Sequence, residues 1–296
     1  MPFNDFQIDM RTKILFIAAA LLFALSMPGN AASRKSSGAK ATTTVKQTKK
    51  TLQKDGTTVS FVHYESPAYY KVAKNLAGFS SGYSDNSFVI DWPTASSKGD
   101  VTALQRWILS SFGGTRKFKT IGEFIKFRNK CEFTARRVPK IPESAVETCL
   151  SDKEKITAQL VTADILLFVV DYYAYFGGGV GASFVYGTGY NYYDLTKQRE
   201  LKTADLFLPQ IVDVIVGKLK YDDEMDNIWE EVWDEFKSAP YVPDNFELMN
   251  DKVAFIYSKY EIASGAAGNI KVEVPLEQAL PYATPLLKTI VKAMKK

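Results

Sequence analysis

LLFVVDYYAYFGGGVGASFVYGTGYNYYDLTKQRELKTADLF, residues Leu166 to Phe207, holds two β-prone runs separated by glycines. The first run is apolar and aromatic and breaks at Gly177, Gly178 and Gly179; the second, Ser183 to Tyr193, ends in a polar turn. β-branched and aromatic residues suit a pleated, half-buried surface, so the two runs read as paired strands. Glycine tolerates backbone angles that a Cβ atom forbids, which puts the cluster at a tight turn or bulge.

Before this hairpin, Thr57–Tyr64 and Ser87–Trp92 alternate as strands, the second stopped by Pro93. Asp100 is placed to cap a helix over Val101–Phe112 that carries Leu104, Trp107, Ile108 and Phe112 on one face. Thr120–Lys130 reads as a second helix, and Lys155–Phe176 as one long strand or two consecutive ones. After the hairpin come a helix over Leu208–Lys220 and an acidic amphipathic segment, Asp222–Phe236. A hairpin around Asn250–Asp251, a strand at Ile270–Val274 and helices over Leu276–Tyr282 and Pro285–Met294 finish the chain. Strands and helices without regular βαβ alternation predict an α+β fold, a mostly antiparallel sheet with helices packed on one face. The pattern allows two sub-domains meeting near residue 155, a smaller α+β region over 55–154 and a second unit over 155–296.

A hydrophobic content of 46% is enough for a packed core and excludes general disorder. The N-terminus stands apart from it. Arg11 and Lys13 precede the apolar run Ile14–Leu25, and Gly29 and Ala31 supply small residues before a cut, so residues 1–31 read as a secretory signal peptide. The run is too short for the roughly 20 residues that cross a bilayer, and no integral span is expected after cleavage. Residues 32–54 carry seven basic side chains and no acid, which reads as a disordered linker. Removing those seven charges from the net +4 leaves −3 for Asp55–Lys296. The basic balance therefore resides in the tail, and nothing beyond it favours nucleic acid. In an oxidising compartment Cys131 and Cys149 fit one disulfide, worth about 3 kcal/mol in the chain-entropy account.

Tyr173, Tyr175, Gly177 and Gly178, then Asn191, Asp194 and Leu195, then Leu201, Asp205, Leu206 and Phe207 form an ordered set of short motifs. Phe255, Tyr257, Tyr260, Glu261, Ile262, Gly268 and Pro275 continue it. Together they resemble the RsiV-like C-terminal domain, a family of bacterial envelope proteins, over roughly Lys155–Lys292. The resemblance implies an extracytoplasmic, non-enzymatic α+β binding domain, with Gly177, Gly178, Asp194, Asp205, Tyr260 and Glu261 as structural motif residues. It implies as ligand a lysozyme-like protein, which the outer domain of the family's namesake binds; a cell-wall glycan is the other candidate. Two departures limit it. The family's Gly-Gly-Ala-His turn is here Gly177-Gly178-Gly179-Val180, without the histidine, and a sigma-binding segment is not expected ahead of the leader.

No cofactor is expected. Gly177–Ala182 satisfies a G-x-G-x-x-A spacing, but a strand-like aromatic run follows where a pyrophosphate site needs a helix. His63 is the sole histidine, which excludes a multi-histidine metal site. Asp171, Asp194, Asp205 and Glu261 are the carboxylates of the matched segments, and two of them meeting would make a glycan hydrolase, the alternative function. Against that, Asp194 and Asp205 also suit turn and helix-start backbone N–H groups. The dense tyrosines either roof a sheet or offer flat, amphipathic area to a ligand; Tyr175, Tyr186, Tyr190 and Tyr192 are the candidates for the second role.

Overall fold

The computed structural model describes residues 45–73, 82–131, 135–146, 149–175, 184–222, 225 and 228–295. The expected signal peptide over residues 1–31, the expected linker up to residue 44, and Gly177 and Gly178 lie outside the described residues.

The fold is α+β. A ten-stranded, mostly antiparallel sheet contains β1 (Lys46–Lys54), β2 (Thr57–Ser66), β3 (Tyr69–Val72), β4 (Tyr83–Asp85), β5 (Phe88–Ser96), β6 (Ala135–Val138), β7 (Leu150–Leu160), β8 (Ile165–Tyr175), β9 (Phe184–Asp194) and β10 (Arg199–Leu201). Its path runs β1-β2-β5-β7-β4-β3-β6, and β8 joins the other side of β7, followed by β9 and β10. Only β4 and β5 run parallel to β7 among the pairings described. A second sheet is the antiparallel trio β11 (Phe246–Leu248), β12 (Lys252–Tyr257) and β13 (Ile270–Pro275).

The strand β1 corrects the linker expectation, which carried disorder to Lys54. Asp55 and Gly56 both have positive φ, 47° and 80°, and Lys54 pairs with Thr57, so the chain makes a two-residue hairpin turn there. Among the described strands β1 is an edge, where lysines are tolerated, and this accounts for its polar composition. Lys50 reaches Asp91 at 2.5 Å and Lys46 reaches Glu65 at 3.2 Å, while Leu52 packs against apolar neighbours.

Helices α1 (Val101–Ser111) and α2 (Ile121–Arg128) start where capping chemistry dictates. Asp100 accepts from Thr102 N at 2.8 Å; Thr120 accepts from Glu123 N, and Glu123 reaches back to Lys119 N at 2.9 Å. Leu104, Ile108, Phe124 and Ile125 bury one face of this pair against Phe88, Ile90, Ile156, Leu166 and Phe168. The second core gathers α3 (Thr203–Leu206), α4 (Ile211–Tyr221), α5 (Ile228–Glu231), α6 (Asp234–Ser238), α7 (Leu276–Ala279) and α8 (Pro285–Met294) around the small sheet. Among its described residues the acidic segment carries two short α-helices, α5 and α6. Val232 bridges to Ala263 between them, and its neighbour Trp233 is exposed.

One hairpin serves both cores. Side chains alternate across a strand, and in β8 Leu166, Phe168 and Val170 enter the α1–α2 core while Ile165, Leu167 and Val169 enter the small-sheet core. In β9 the adjacent residues Tyr192 and Tyr193, each 1% exposed, enter opposite cores. Tyr192 stacks on Phe246 at 4.8 Å and accepts from Leu248 N at 2.7 Å, which ties the small sheet to the hairpin. The expected layout had helices on one face; here the α1–α2 pair covers one face and the small sheet with its helices covers part of the other.

No disulfide joins Cys131 to Cys149. The sequence expectation fails because the two thiols lie on opposite faces of the sheet. Cys149 shares a hollow with Tyr69, Ser151 and Lys153. Cys131 is buried beside Tyr70, on the side where the Tyr70 hydroxyl donates to Asn129 O at 2.6 Å. Neighbouring positions Tyr69 and Tyr70 point to opposite faces of β3.

Three outcomes follow from this architecture. Leu166→Ala should cost about 2–5 kcal/mol, and urea unfolding should remain a single transition seen equally by probes in both cores, because the hairpin is common to them. A thiol count in denaturant should give two, and native maleimide labelling should modify half-exposed Cys149 and spare buried Cys131. Burial, with the Glu247 carboxylate beside it, raises the Tyr190 phenol from 10.0 to about 12. The unfolded chain releases that proton first, so stability is complete below pH 10 and falls as pH rises to about 12. Tyr190→Phe should lose less stability across that window than the parent, as measured by urea midpoints.

Candidate functional site

The small-sheet core covers only one end of its side of β8–β9. Successive rungs on that side read Gln159–Leu167–Tyr192, Thr157–Val169–Tyr190, Lys155–Asp171–Thr188 and Lys153–Tyr173–Tyr186 across β7, β8 and β9. On the first rung Leu167 and Tyr192 are covered while Gln159 is exposed, and the second lies at the seam, where Tyr190 is bonded to Glu247. The last two are open: Tyr173 is 39% exposed and Tyr186 55%. Beyond them the register Tyr69–Asp85–Ser151–Tyr175 continues the same side through β3, β4, β7 and β8.

These open rungs border a hollow of about 590 Å³ that also receives Lys140, Ile141, Val146 and Cys149 from the segment preceding β7. Tyr69, Tyr173 and Tyr175 form its aromatic lining, with Lys140, Lys153 and Asp85 as its charges. The Lys153 ammonium sits 2.8 Å from Asp85, whose other oxygen takes the Ser87 N–H at 3.1 Å. Partial burial pulls the Lys153 amine down, but Asp85 outweighs it and holds the group above its ordinary value.

Two asparagines fix the rim. Asn245 accepts from Tyr190 N at 2.9 Å and donates to Thr188 O at 3.0 Å, while Asn269 donates to Tyr186 O at 3.1 Å. Both side chains stand in for a strand along β9, so Tyr186 is carried on a braced backbone. Tyr260 (φ 67°) lies over Gly265, where a Cβ would fall 2.1 Å from its ring. Glu261 closes this loop by accepting from Ser258 N at 2.7 Å and from the Tyr241 hydroxyl at 3.1 Å.

The candidate residues therefore separate. Tyr175 lines the hollow and Tyr186 stands on the open face, joined there by Tyr173 and Tyr69, which the candidate set omitted. Tyr190 belongs to the seam, and Tyr192 is core. The four carboxylates are dispersed: Asp194 accepts from Thr196 N and Lys197 N, Asp205 from Lys202 N and both Arg199 guanidinium nitrogens, and Asp171 from the Thr188 hydroxyl. The Arg199 contact, beyond the cost of burial, holds the Asp205 carboxyl below its usual range. His63 has a partner that sequence reading missed. Its Nδ1 lies 2.6 Å from Asp91, a fully buried carboxylate that also accepts from Ala158 N at 2.8 Å and pairs with Lys50. That network stitches β1, β2, β5 and β7 together. Among the described residues no group of three or more His, Cys, Asp or Glu side chains is placed to hold a metal ion, and no helix is long and apolar enough to cross a membrane.

No curated protein matches the chain. Residues 194–277, from the end of β9 into α7, match the family described as Protein of unknown function (DUF3298). A crystal structure of a DUF3298 family member from Bacteroides fragilis NCTC 9343 is similar over 85% of this chain and 96% of its own, at 17% identity and a TM-score of 0.54. A DUF3298 family protein from Pseudomonas aeruginosa PAO1 aligns over 75% of this chain and 95% of its own, at 13% identity and a TM-score of 0.44. The first of these likenesses is one of fold, and the sequence match places a DUF3298 signature on the small-sheet half of the molecule.

Proposed function

We propose that this chain is a non-enzymatic binding module of the bacterial envelope, working outside the cytoplasm, and that its open tyrosine face takes cell-wall glycan. The observation that carries this reading is the pair Tyr173 and Tyr186, opposite one another on β8 and β9, both exposed and continuous with the hollow lined by Tyr69 and Tyr175. Tyrosine offers a flat apolar ring to a sugar face and a hydroxyl to its edge, at little cost in conformational entropy. The leader-like N-terminus supports an extracytoplasmic address, and the RsiV-like motifs support an envelope role. They also keep a lysozyme-like protein as the second ligand to test. We favour binding over the hydrolase alternative because the four carboxylates considered for it are bonded to separate partners.

Calorimetric titration with soluble peptidoglycan fragments, and separately with lysozyme, tests the reading. Glycan binding that Tyr173→Ala and Tyr186→Ala each weaken by about tenfold, with no release of product, is the expected result. Lysozyme binding alone would replace the glycan by a protein partner. Product release would reinstate catalysis, and silence with both ligands would remove the proposal.

A further inference from the structure

We infer that the hollow selects an acidic, carboxylate-bearing glycan over a neutral one, with Lys140 and Lys153 as the charge-reading groups. The inference rests on the glycan reading above and adds the chemistry of the ligand.

The geometry is a ring platform with ammonium groups at its side. Lys153, Tyr173 and Tyr186 share one rung on three neighbouring strands. Strands lie about 5 Å apart, so the ammonium stem stands one strand from the first ring, and Tyr175 follows about 7 Å along β8. A sugar stacked on Tyr173 therefore directs its substituents toward Lys153. Asp85 fixes that side chain at 2.8 Å without exhausting it, because an ammonium carries three donors.

Charge decides the ligand class. The lining holds two ammonium groups and one carboxylate. Asp85 answers Lys153, while among the described residues no carboxylate pairs with the exposed Lys140. A neutral glycan would leave this positive excess unused. A carboxylate placed there gains a charge-assisted hydrogen bond, about twice as strong as a neutral one. Muramic-type carboxyl groups and uronic acids share this chemistry, and the experiment separates them.

The full chain is titrated with neutral chito-oligosaccharide, a uronic-acid oligosaccharide and soluble peptidoglycan fragments. At least one acidic ligand should bind about tenfold tighter than the neutral one, and the one that does names the source. Lys140→Gln should shrink this preference and Lys140→Glu abolish it, whereas Tyr173→Ala should weaken acidic and neutral ligands alike. Raised salt should erode the preference too. Bound ligand should also slow maleimide labelling of Cys149, which lines the same hollow. Equal affinity for neutral and acidic glycans overturns the charge inference while leaving the glycan reading intact. Binding without protection of Cys149 overturns the location. Silence with all three overturns both readings together.

Discussion

Burial on both faces of the β8–β9 hairpin is the constraint on which the rest of the molecule depends. A strand exposed on one side tolerates polar residues at every second position, and this one cannot along half its length. Leu166 and Leu167 are adjacent yet must both be apolar, because they enter different cores; Tyr192 and Tyr193 repeat the arrangement on the partner strand. The α1–α2 pair and the small sheet never need to contact each other extensively, since each packs against the same wall from its own side. The division of the fold therefore runs through a sheet rather than at a point along the chain.

The open face is a by-product of unequal lengths. Strands β8 and β9 each run eleven residues, while the small sheet is too short to cover all of them. Tyrosine suits the uncovered rungs, since its ring can pack on neighbouring side chains and its hydroxyl can meet water. Asn245 and Asn269 satisfy backbone groups at the boundary, where the chain would otherwise leave polar atoms half-buried.

Much of this was legible in the sequence. The hairpin, the Asp100 cap, the α2 boundaries and the α+β class follow from alternation, capping residues and glycine placement. Strand β1 was missed although Asp55-Gly56 is a strong hairpin signal, because lysine-rich composition outweighed the turn chemistry. The disulfide expectation came from counting cysteines, and counting carries no information about faces. The tyrosines were legible as a group, but their sorting into Tyr192 in the core, Tyr190 at the seam and Tyr173 on the surface depends on where the small sheet stops. That boundary is set by tertiary packing. Neither the Asn245 brace nor the His63–Asp91 contact has a local signature, since each joins residues far apart in the chain.

Strand β1 ends one path of the large sheet and pairs only with β2 among the described strands. Its sequence, KQTKKTLQK, has a consequence for molecules held close together. A symmetric antiparallel union of two such edges would set Lys46 opposite Lys54 and Lys50 opposite its own copy. Like charges facing one another across a ladder oppose that union. Among the described strands, that edge is therefore poorly suited to zippering with its own copy into a continuous ribbon.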